Sequence, residues 1–371
     1  MSDESEMKVY KKYPKEEIIM KKRILSLLMT VALVATMLTG CGGGSKASES
    51  NGELNVFVWT EYVSDAAIQA FEKETGIKVN VSTFSSNEDM LAKFKSESEG
   101  TYDVLLPSDY AVEYLVAQDK LTELDKEKLP NMSNINSAYL NPSYDPDNKY
   151  SMPYEGGVAC IAVNKSKVDK EITSYGDLFD PSLAGKIVVL DDYRAIIGMT
   201  ARSMGYSMNE TDDAKLAEIQ DKLLTFKDNV KLYDSDSPKS ALISGDCTVG
   251  MVWSAEVALS MDENPDIDIV YPSEGAYVFL DNWVIPKGAK NVDNAYAFIN
   301  FMMSADAAKM NIEDFPYLCP NDAALESMGE EYVNNIAKNV PAEVISGGEF
   351  VKYLDSNVLA KYDEMWTKLK Q

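Results

Sequence analysis

Aromatic and acidic residues recur at the points where predicted β-strands end. The segments at five such ends are Trp59-Thr60-Glu61-Tyr62, Ser108-Asp109-Tyr110, Asp191-Asp192, Trp253-Ser254-Ala255-Glu256 and Asp281. Ring faces attract alkylammonium groups by about 0.5–2 kcal/mol each, and carboxylates form charge-assisted hydrogen bonds with them. Ligands of open α/β sheets collect at the carboxyl ends of strands. The pattern therefore predicts a site for a small organic cation, such as a diamine or triamine.

Each of these residues also has an ordinary structural interpretation. Trp59 and Trp253 are compatible with core positions between two lobes, and Asp191 or Asp192 with the N-cap of a helix that begins at Tyr193. An acidic chain also places some carboxylates at strand ends by chance. The shared chemistry of five strand ends favours the cation site.

The elements that position these residues alternate between strands and helices. Strands are predicted over 54–59, 77–84, 102–107, 187–190, 230–233, 248–253, 267–271 and 278–286. Helices are predicted over 64–75, 87–98, 194–204, 212–226 and much of the chain after 291. Repeated βαβ units predict a parallel sheet in each of two α/β units, with a ligand cleft between two lobes.

The N-terminal region is typical of an exported lipoprotein. Residues 1–40 are predicted to be a signal peptide, because Lys21-Lys22-Arg23 precede an apolar run too short for the roughly 20 residues of a bilayer span. The segment Leu38-Thr39-Gly40-Cys41 resembles a lipobox, which makes Cys41 the lipid-attachment residue and 41–53 a flexible tether. An ordinary signal peptide or a single anchor helix is the alternative. Residues 1–19 are interpreted as a mis-called start, since Met20 precedes the basic residues.

Composition excludes several classes of function. The chain has 60 acidic and 35 basic side chains and a net charge of −25, which argues against a nucleic-acid partner. It has no histidine, which removes histidine-dependent triads and histidine zinc sites. Cys160, Cys247 and Cys319 form no CxxC pair, so no cofactor or metal is expected, and a disulfide is left open. The GxxxxGK[ST] motif for nucleotide binding is absent from the sequence.

The chain resembles the spermidine and putrescine-binding proteins of polyamine ABC transporters, which are two-lobed solute-binding proteins. The segments that carry the resemblance are VFVWTEYV (56–63), FEKETGIKV (71–79), YDVLLPSDY (102–110), YSMPYEGGVACIAVN (150–164), TSYGDLFDPSLAGKIVVLDD (173–192), VGMVWSAEVA (249–258) and FLDNWVIPKGAKN (279–291). The resemblance implies a periplasmic-binding-protein-like α/β fold of type II. The expected lobes are 54–159 plus 280–326 and 160–279 plus 327–371.

The resemblance also implies roles for individual residues. Aromatic residues would surround the aliphatic chain of a polyamine, Asp192 and Asp281 would bind its ammonium groups, and Glu61 and Glu256 occupy positions that are acidic in some relatives. Together with the strand ends, the candidate ligand-binding residues are Trp59, Thr60, Glu61, Tyr62, Ser108, Asp109, Tyr110, Asp192, Trp253, Glu256, Phe279 and Asp281. The expected partners are a polyamine, an ABC permease with a separate ATPase, and the membrane through lipidated Cys41. A monomer is predicted.

Three departures from the family pattern leave the preferred polyamine open. Ala195 stands where spermidine-type relatives have a glutamate, Phe279 stands for a tryptophan, and Val351 stands for a glutamine. Loss of that glutamate removes one amine anchor, and Glu256 is available to compensate. The combination favours either a shorter diamine or a rearranged spermidine site.

Three rival functions remain. The same fold binds other solutes in related proteins, although the presence of only Arg194 and Arg202 after Cys41 argues against an anion. A lipid-anchored hydrolase would need a carboxylate pair such as Asp191 with Asp192 or Glu256 with Asp281. Neighbouring carboxylates on a strand diverge, and the GxSxG motif is absent, so the chain is predicted not to be an enzyme. A sensory receptor that presents a polyamine to a signalling partner is the third.

Overall fold

The computed structural model describes residues 52–371. The predicted signal segment, Cys41 and most of the predicted tether lie outside the described residues. In the described part, no helix combines the length and apolar character needed to cross a membrane.

Strands and helices alternate up to β9, and helices dominate after it. The strands are β1 (Glu53–Trp59), β2 (Lys78–Phe84), β3 (Val104–Leu105), β4 (Ser151–Asn164), β5 (Ile187–Val189), β6 (Val230–Tyr233), β7 (Val249–Trp253), β8 (Ile267–Val270), β9 (Tyr277–Val284) and β10 (Glu349–Phe350). The helices are α1 (Asp65–Thr75), α2 (Asn87–Ser96), α3 (Asp109–Ala117), α4 (Tyr193–Ser203), α5 (Asp213–Leu224), α6 (Lys239–Ile243), α7 (Ser254–Glu263), α8 (Val292–Met302), α9 (Ala305–Asp314), α10 (Asp322–Met328), α11 (Glu330–Val333), α12 (Ala342–Gly347) and α13 (Ser356–Lys370). Short 3₁₀ helices occupy much of the connection from α3 to β4.

The strands join into one sheet in the order β2-β1-β3-β9-β4-β7-β5-β6, with β10 paired to β9 and β8 paired to β4. Parallel pairs occur where the βαβ pattern predicted them, β1 with β2 and β3 on one side and β5 with β6 and β7 on the other. The predicted parallel sheet accounts for these two parts but not for the centre of the sheet, which is antiparallel. Strands β4 and β9 run antiparallel to each other, β3 is antiparallel to β9, and β7 and β8 are antiparallel to β4.

The longest strand, β4, was absent from the predicted elements. Its sequence contains Pro153, Gly156 and Gly157, which read as strand breakers. The pairing with β9 shifts register between Pro153 and Gly156, where the strand is irregular. A Cβ atom at Gly156 would lie 2.6 Å from the Phe279 carbonyl oxygen, so only glycine allows this close approach. All residues of β4 and β9 are buried, which gives neither strand an alternating pattern.

Helix ends follow the predicted signals. Ser64 caps α1 by accepting a hydrogen bond from the Ala66 amide at 3.1 Å, and Gly76 ends the helix with a φ of 72°. Asp192 caps α4 by accepting from the Ala195 amide at 3.0 Å. The predicted strand over 102–107 is reduced to the two residues of β3. The prediction of a mainly helical region after 291 is confirmed by α8 to α13.

Candidate functional site

A cavity of about 480 Å³, including its opening to solvent, lies where β1, β7 and β9 meet the N-terminal ends of α2 and α4. Its walls combine aromatic rings with hydroxyl, amide and carboxylate groups. The lining residues are Trp59, Thr60, Tyr62, Asn87, Ser108, Asp192, Ser235, Asp236, Trp253, Tyr277, Phe279, Asp281 and Tyr317.

The structure brings together most of the predicted ligand-binding residues. Those in the lining are Trp59, Thr60, Tyr62, Ser108, Asp192, Trp253, Phe279 and Asp281. The other four, Glu61, Asp109, Tyr110 and Glu256, lie outside the lining, and each of them has a partner within the protein. The role of each predicted residue in ligand binding stays a prediction.

Asp281 on β9 is a buried carboxylate that faces the cavity. Its Oδ1 accepts a hydrogen bond from the Ser108 hydroxyl at 2.5 Å. Asn87 Nδ2 donates to that hydroxyl oxygen at 3.0 Å, which fixes the direction of the donated proton. Among the described residues, no lysine or arginine forms an ion pair with Asp281.

Burial raises the pKa of Asp281 to about 7, although hydrogen bonding by Ser108, and weaker effects of Tyr62 and Trp59, lower it. The Tyr62 hydroxyl and Trp59 Nε1 lie close enough to act on Asp281, but they are buried without a hydrogen-bond partner in residues 52–371. Asp281 therefore faces the cavity with a raised pKa, and two nearby donors, the Tyr62 hydroxyl and Trp59 Nε1, are available to a ligand or to the carboxylate.

A second group of polar residues surrounds Asp192 at the start of α4. Burial raises the pKa of Asp192, and the Ala195 amide and the Arg194 guanidinium oppose that shift. Glu88 lies nearby, and its Oε1 accepts hydrogen bonds from the hydroxyls of Tyr110 at 3.0 Å and Tyr193 at 3.3 Å. Burial, followed by repulsion from Asp192, raises the pKa of Glu88 to about 7.

Arg194 is fully buried beside this group without forming an ion pair with either carboxylate in the described structure. Its Nη2 donates to Asn209 Oδ1 at 3.3 Å and to the Lys352 carbonyl at 3.1 Å. The guanidinium carbon lies 5.5 Å from the centre of the Tyr110 ring. Arg194 thus lowers the local negative potential but leaves Asp192 open to the cavity.

Aromatic rings form one part of the cavity wall. Trp253 meets Phe279 edge to face with ring centres 5.0 Å apart, and Tyr317 meets Tyr62 in the same way at 4.6 Å. Phe279 lies 6.2 Å from Tyr317, which connects the two pairs. Such a wall suits the methylene groups of an alkylamine, and it also presents ring faces to cations.

Glu61 and Glu256 share an ammonium group that belongs to the protein. Lys239 Nζ lies 2.5 Å from Glu61 Oε2 and 3.2 Å from Glu256 Oε1. Burial raises the pKa of Glu256 to about 7, and Lys239 partly offsets this effect. These two carboxylates differ from Asp281 and Asp192 because they already have a cation.

Both carboxylate oxygens of Asp109 accept hydrogen bonds from backbone amides. Its Oδ1 accepts from the Tyr110 amide at 2.7 Å and its Oδ2 accepts from the Leu280 amide at 3.3 Å. Asp109 therefore links the start of α3 to β9, next to the cavity residues Ser108 and Asp281. Burial raises its pKa well above the ordinary value for aspartate.

Several cavity residues were missed, and the sequence held a signal for most of them. Tyr277 lies two residues before Phe279 and four before Asp281, so the strand geometry that puts every second side chain on one face identifies it once these two are placed in the cavity. Asn87 and Asp236 follow the ends of β2 and β6, two strand ends that the prediction did not consider. Tyr317 follows α9 in an irregular segment, and no periodicity points to it.

Comparison with known proteins gives a consistent result. The model of a family described as bacterial extracellular solute-binding protein matches residues 66–340. The spermidine/putrescine-binding periplasmic protein of Escherichia coli (strain K12) is 36% identical over 339 residues, which is 91% of this chain and 97% of that protein.

Two solved structures agree with this match. The spermidine/putrescine ABC transporter substrate-binding protein PotD of Streptococcus pneumoniae has a TM-score of 0.73 and 33% identity, covering 86% of this chain and 98% of its own. The TpPotD lipoprotein of Treponema pallidum has a TM-score of 0.76 and 27% identity, covering 85% of this chain and 99% of its own. The resemblance and the predicted two-lobed solute-binding fold are confirmed, while the lobe boundaries stay a prediction.

Proposed function

The chain belongs to the bacterial extracellular solute-binding protein family, and we propose that it binds a polyamine in the cavity and delivers it to an ABC importer. The observation that carries this proposal is Asp281, a buried carboxylate that faces an aromatic cavity and forms no ion pair with any residue in 52–371. A buried ionised carboxylate is costly unless it is paired, so the site favours a ligand that brings a positive charge.

The cavity suits a flexible alkylamine better than a neutral solute. Asp281 and Asp192 each offer an acceptor to an ammonium group, and the rings of Trp253, Phe279 and Tyr317 flank the space beside them. Each methylene group that is transferred from water to such a wall contributes roughly 0.8 kcal/mol. A sugar would leave both carboxylates without a counter-charge.

Isothermal titration of the mature protein with putrescine, spermidine and spermine tests the proposal. A matched control for putrescine is 1,4-butanediol, which keeps the methylene chain and replaces the ammonium groups with hydroxyls. We expect at least one polyamine to bind with a Kd of about 1 μM or tighter, or roughly −8 kcal/mol, and the diol not to bind measurably. Equal binding of diol and diamine, or no binding of any polyamine, would contradict the proposal.

Delivery requires a change that the permease can recognise. A ligand that contacts segments on both sides of the cavity favours the closed form over the open form. The closed protein would then dock on the permease, and a separate ATPase chain would supply the energy, since the sequence has no P-loop motif. In this role the protein releases its ligand unchanged, so no catalysis is proposed.

We also propose that Cys41 anchors the protein to the membrane and that the binding protein acts as a monomer. The lipobox-like segment Leu38 to Cys41 supports the anchor, and one relative, the Treponema pallidum protein, is described as a lipoprotein. Cys41→Ser should release the protein from membranes in fractionated cells, and persistent acylation of that variant would rule the assignment out. Light scattering after size-exclusion chromatography tests the monomer.

A further inference from the structure

The salt-bridged cluster of Glu61, Lys239 and Glu256 borders the cavity on three separate segments. Glu61 lies between the lining residues Thr60 and Tyr62. Glu256 follows the lining residue Trp253 by one helical turn, and Lys239 follows Asp236 by three residues. The three charges therefore come from different parts of the chain and meet beside the cavity.

Two ion pairs and a backbone hydrogen bond hold Lys239 in this position. Its Nζ bonds Glu61 at 2.5 Å and Glu256 at 3.2 Å, and its side chain is only 19% exposed. Its backbone amide donates separately to Glu256 Oε2 at 3.2 Å. Burial alone would lower the pKa of the lysine, but Glu256 and Glu61 raise it above the ordinary value, so the ammonium group stays charged.

The charges of the cluster act electrostatically on a residue that lines the cavity. Tyr317 lines the cavity, and after burial the strongest influences that raise its pKa include Glu256, Asp281 and Glu61. Two carboxylates of the cluster and one of the open site therefore act on the same hydroxyl.

We propose that Lys239 acts as a built-in ammonium group that fills one cation subsite, so that the cavity selects a diamine over a longer triamine. This inference rests on the proposed function. With Lys239 in place, the lining carboxylates without an ion pair among the described residues are Asp281, Asp192 and Asp236. Asp281 and Asp192 are buried, whereas Asp236 is exposed to solvent and has less need of a ligand cation. A diamine can satisfy the two buried carboxylates. The third ammonium group of a triamine would have to displace Lys239 or remain close to it, and like charges in a partly desolvated site repel each other.

The decisive experiment compares spermidine with putrescine by titration in the wild type and in Lys239→Met. We expect the wild type to bind putrescine at least about tenfold more tightly. Lys239→Met keeps the backbone hydrogen bond to Glu256 and removes the ammonium group, so the ratio of spermidine to putrescine affinity should rise at least about tenfold. Lys239→Gln provides the same test if the methionine variant does not fold.

Further variants separate charge from space. Lys239→Arg keeps a cation and should retain the wild-type ratio within about threefold. Lys239→Met combined with Glu61→Gln and Glu256→Gln should also return towards the wild-type ratio, because both carboxylates that lost their cation are then neutral, whereas a purely steric gain would persist. Lys165→Met is the control for net charge, since Lys165 pairs with Asp268 at 2.7 Å away from the lining.

The outcomes distinguish this inference from the proposed function. If polyamines bind every variant and the ratio in Lys239→Met stays within about threefold of the wild type, Lys239 does not fill a subsite and only this inference is overturned. If the wild type prefers spermidine from the start, the inference is overturned as well. If no polyamine binds the wild type or any variant, the proposed function fails and the inference fails with it.

Discussion

Two groups of carboxylates border the same cavity and are stabilised in opposite ways. Glu61 and Glu256 share the ammonium group of Lys239. Asp281 and Asp192 have only hydroxyl and amide donors, from Ser108 and from the Ala195 backbone. Hydrogen bonds orient a carboxylate, but they do not supply the counter-charge that desolvation demands.

The difference indicates where a ligand is needed. A carboxylate paired within the protein gains little from an arriving cation, because that cation must first displace the resident one. A buried carboxylate without a cation gains the full charge-assisted interaction. In this molecule, Asp281 and Asp192, here called the open group, line the cavity, whereas the paired residues Glu61 and Glu256 lie beside it.

The largest expected effect comes from removing a carboxylate that has no counter-ion, compared with removing one that Lys239 already pairs. Asp281→Asn should weaken the affinity for the preferred polyamine by about 100-fold or more, because truncating a buried charged partner costs about 2–5 kcal/mol. Glu256→Gln should change it by only about threefold, since Lys239 already holds that carboxylate. Titration of both variants measures the contrast. Equal losses would remove the distinction between the two groups.

The pH dependence of binding should follow the open group. Burial raises the pKa values of Asp281 and Glu88 to about 7 each, and that of Asp192 is raised as well. A cationic ligand needs the ionised forms, so its affinity should be full above about pH 8 and fall by up to about tenfold per pH unit below pH 7 for each coupled group. Glu256 also contributes to the pH dependence of binding, because burial raises its pKa to about 7 even though Lys239 lowers it.

Calorimetry between pH 8 and pH 5.5 in buffers of different ionisation enthalpy would detect the protons released on binding. Asp281→Asn should flatten the profile in proportion to the share of this group. A profile that is flat in the wild type would show that the open carboxylates are already ionised throughout this range.

Glu155 on β4 is a buried carboxyl group that, among the described residues, has neither a cation nor a hydrogen-bond donor as partner. It is 1% exposed, and neither of its carboxylate oxygens has a hydrogen-bond partner in the described structure. Burial, followed by Asp281, raises its pKa well above the ordinary value. Because the folded state holds the proton more tightly than the unfolded chain, Glu155 favours folding below an unfolded pKa of about 4.3 and costs stability as the pH rises.

Glu155→Gln should therefore raise the free energy of unfolding at pH 8 by about 1–3 kcal/mol, and the gain should disappear at about pH 4. Urea denaturation at both pH values measures it, with Glu171→Gln at an exposed position as the control. Destabilisation at pH 8 would mean that Glu155 has a partner that the static structure lacks. Asp281 would then also be expected to tolerate its burial better than its environment indicates.

A small effect, comparable to that of Glu256→Gln, is expected at Glu88. Glu88→Gln keeps an oxygen that can accept from the hydroxyls of Tyr110 and Tyr193 and removes one negative charge near Asp192. The affinity for a diamine should fall by about threefold, which would define Asp192 as the main anchor of that group. Asp89→Asn, the exposed neighbour on α2, is the matched control. A loss as large as that of Asp281→Asn would instead make Glu88 a direct ligand-binding residue.

Sequence patterns located the elements that carry local signals. Capping residues such as Ser64 and Gly76, and the β-rich runs of β1 and β6, were sufficient for correct boundaries to within a residue or two. Strand β4 was missed because its identity depends on contacts with β9, β7 and β8 rather than on its own alternation. The antiparallel centre of the sheet was missed for the same reason.

The candidate site divides along a similar line. Residue type at strand ends predicted Trp59 and Trp253, because the carboxyl ends of strands meet in space. Asp281 was also predicted to follow a strand end, and this was wrong, because it lies inside β9 and lines the cavity from there. Their partners could not be predicted: the pairing of Lys239 with Glu61 joins residues far apart in sequence, and that pairing decides which carboxylates are open. A composition rich in acidic residues cannot reveal which of them already has a counter-ion.

The placement of the indole rings gives the protein a built-in optical reporter. The chain has four tryptophans, and Trp59 and Trp253 line the cavity, whereas Trp283 is fully buried behind it. Indole emission depends on the polarity and charge around the ring, so two of the four fluorophores sense the arrival of a cation directly. Ligands can therefore be screened by intrinsic fluorescence with no dye or fusion, and replacing either ring with phenylalanine would show which end of the cavity a compound enters first.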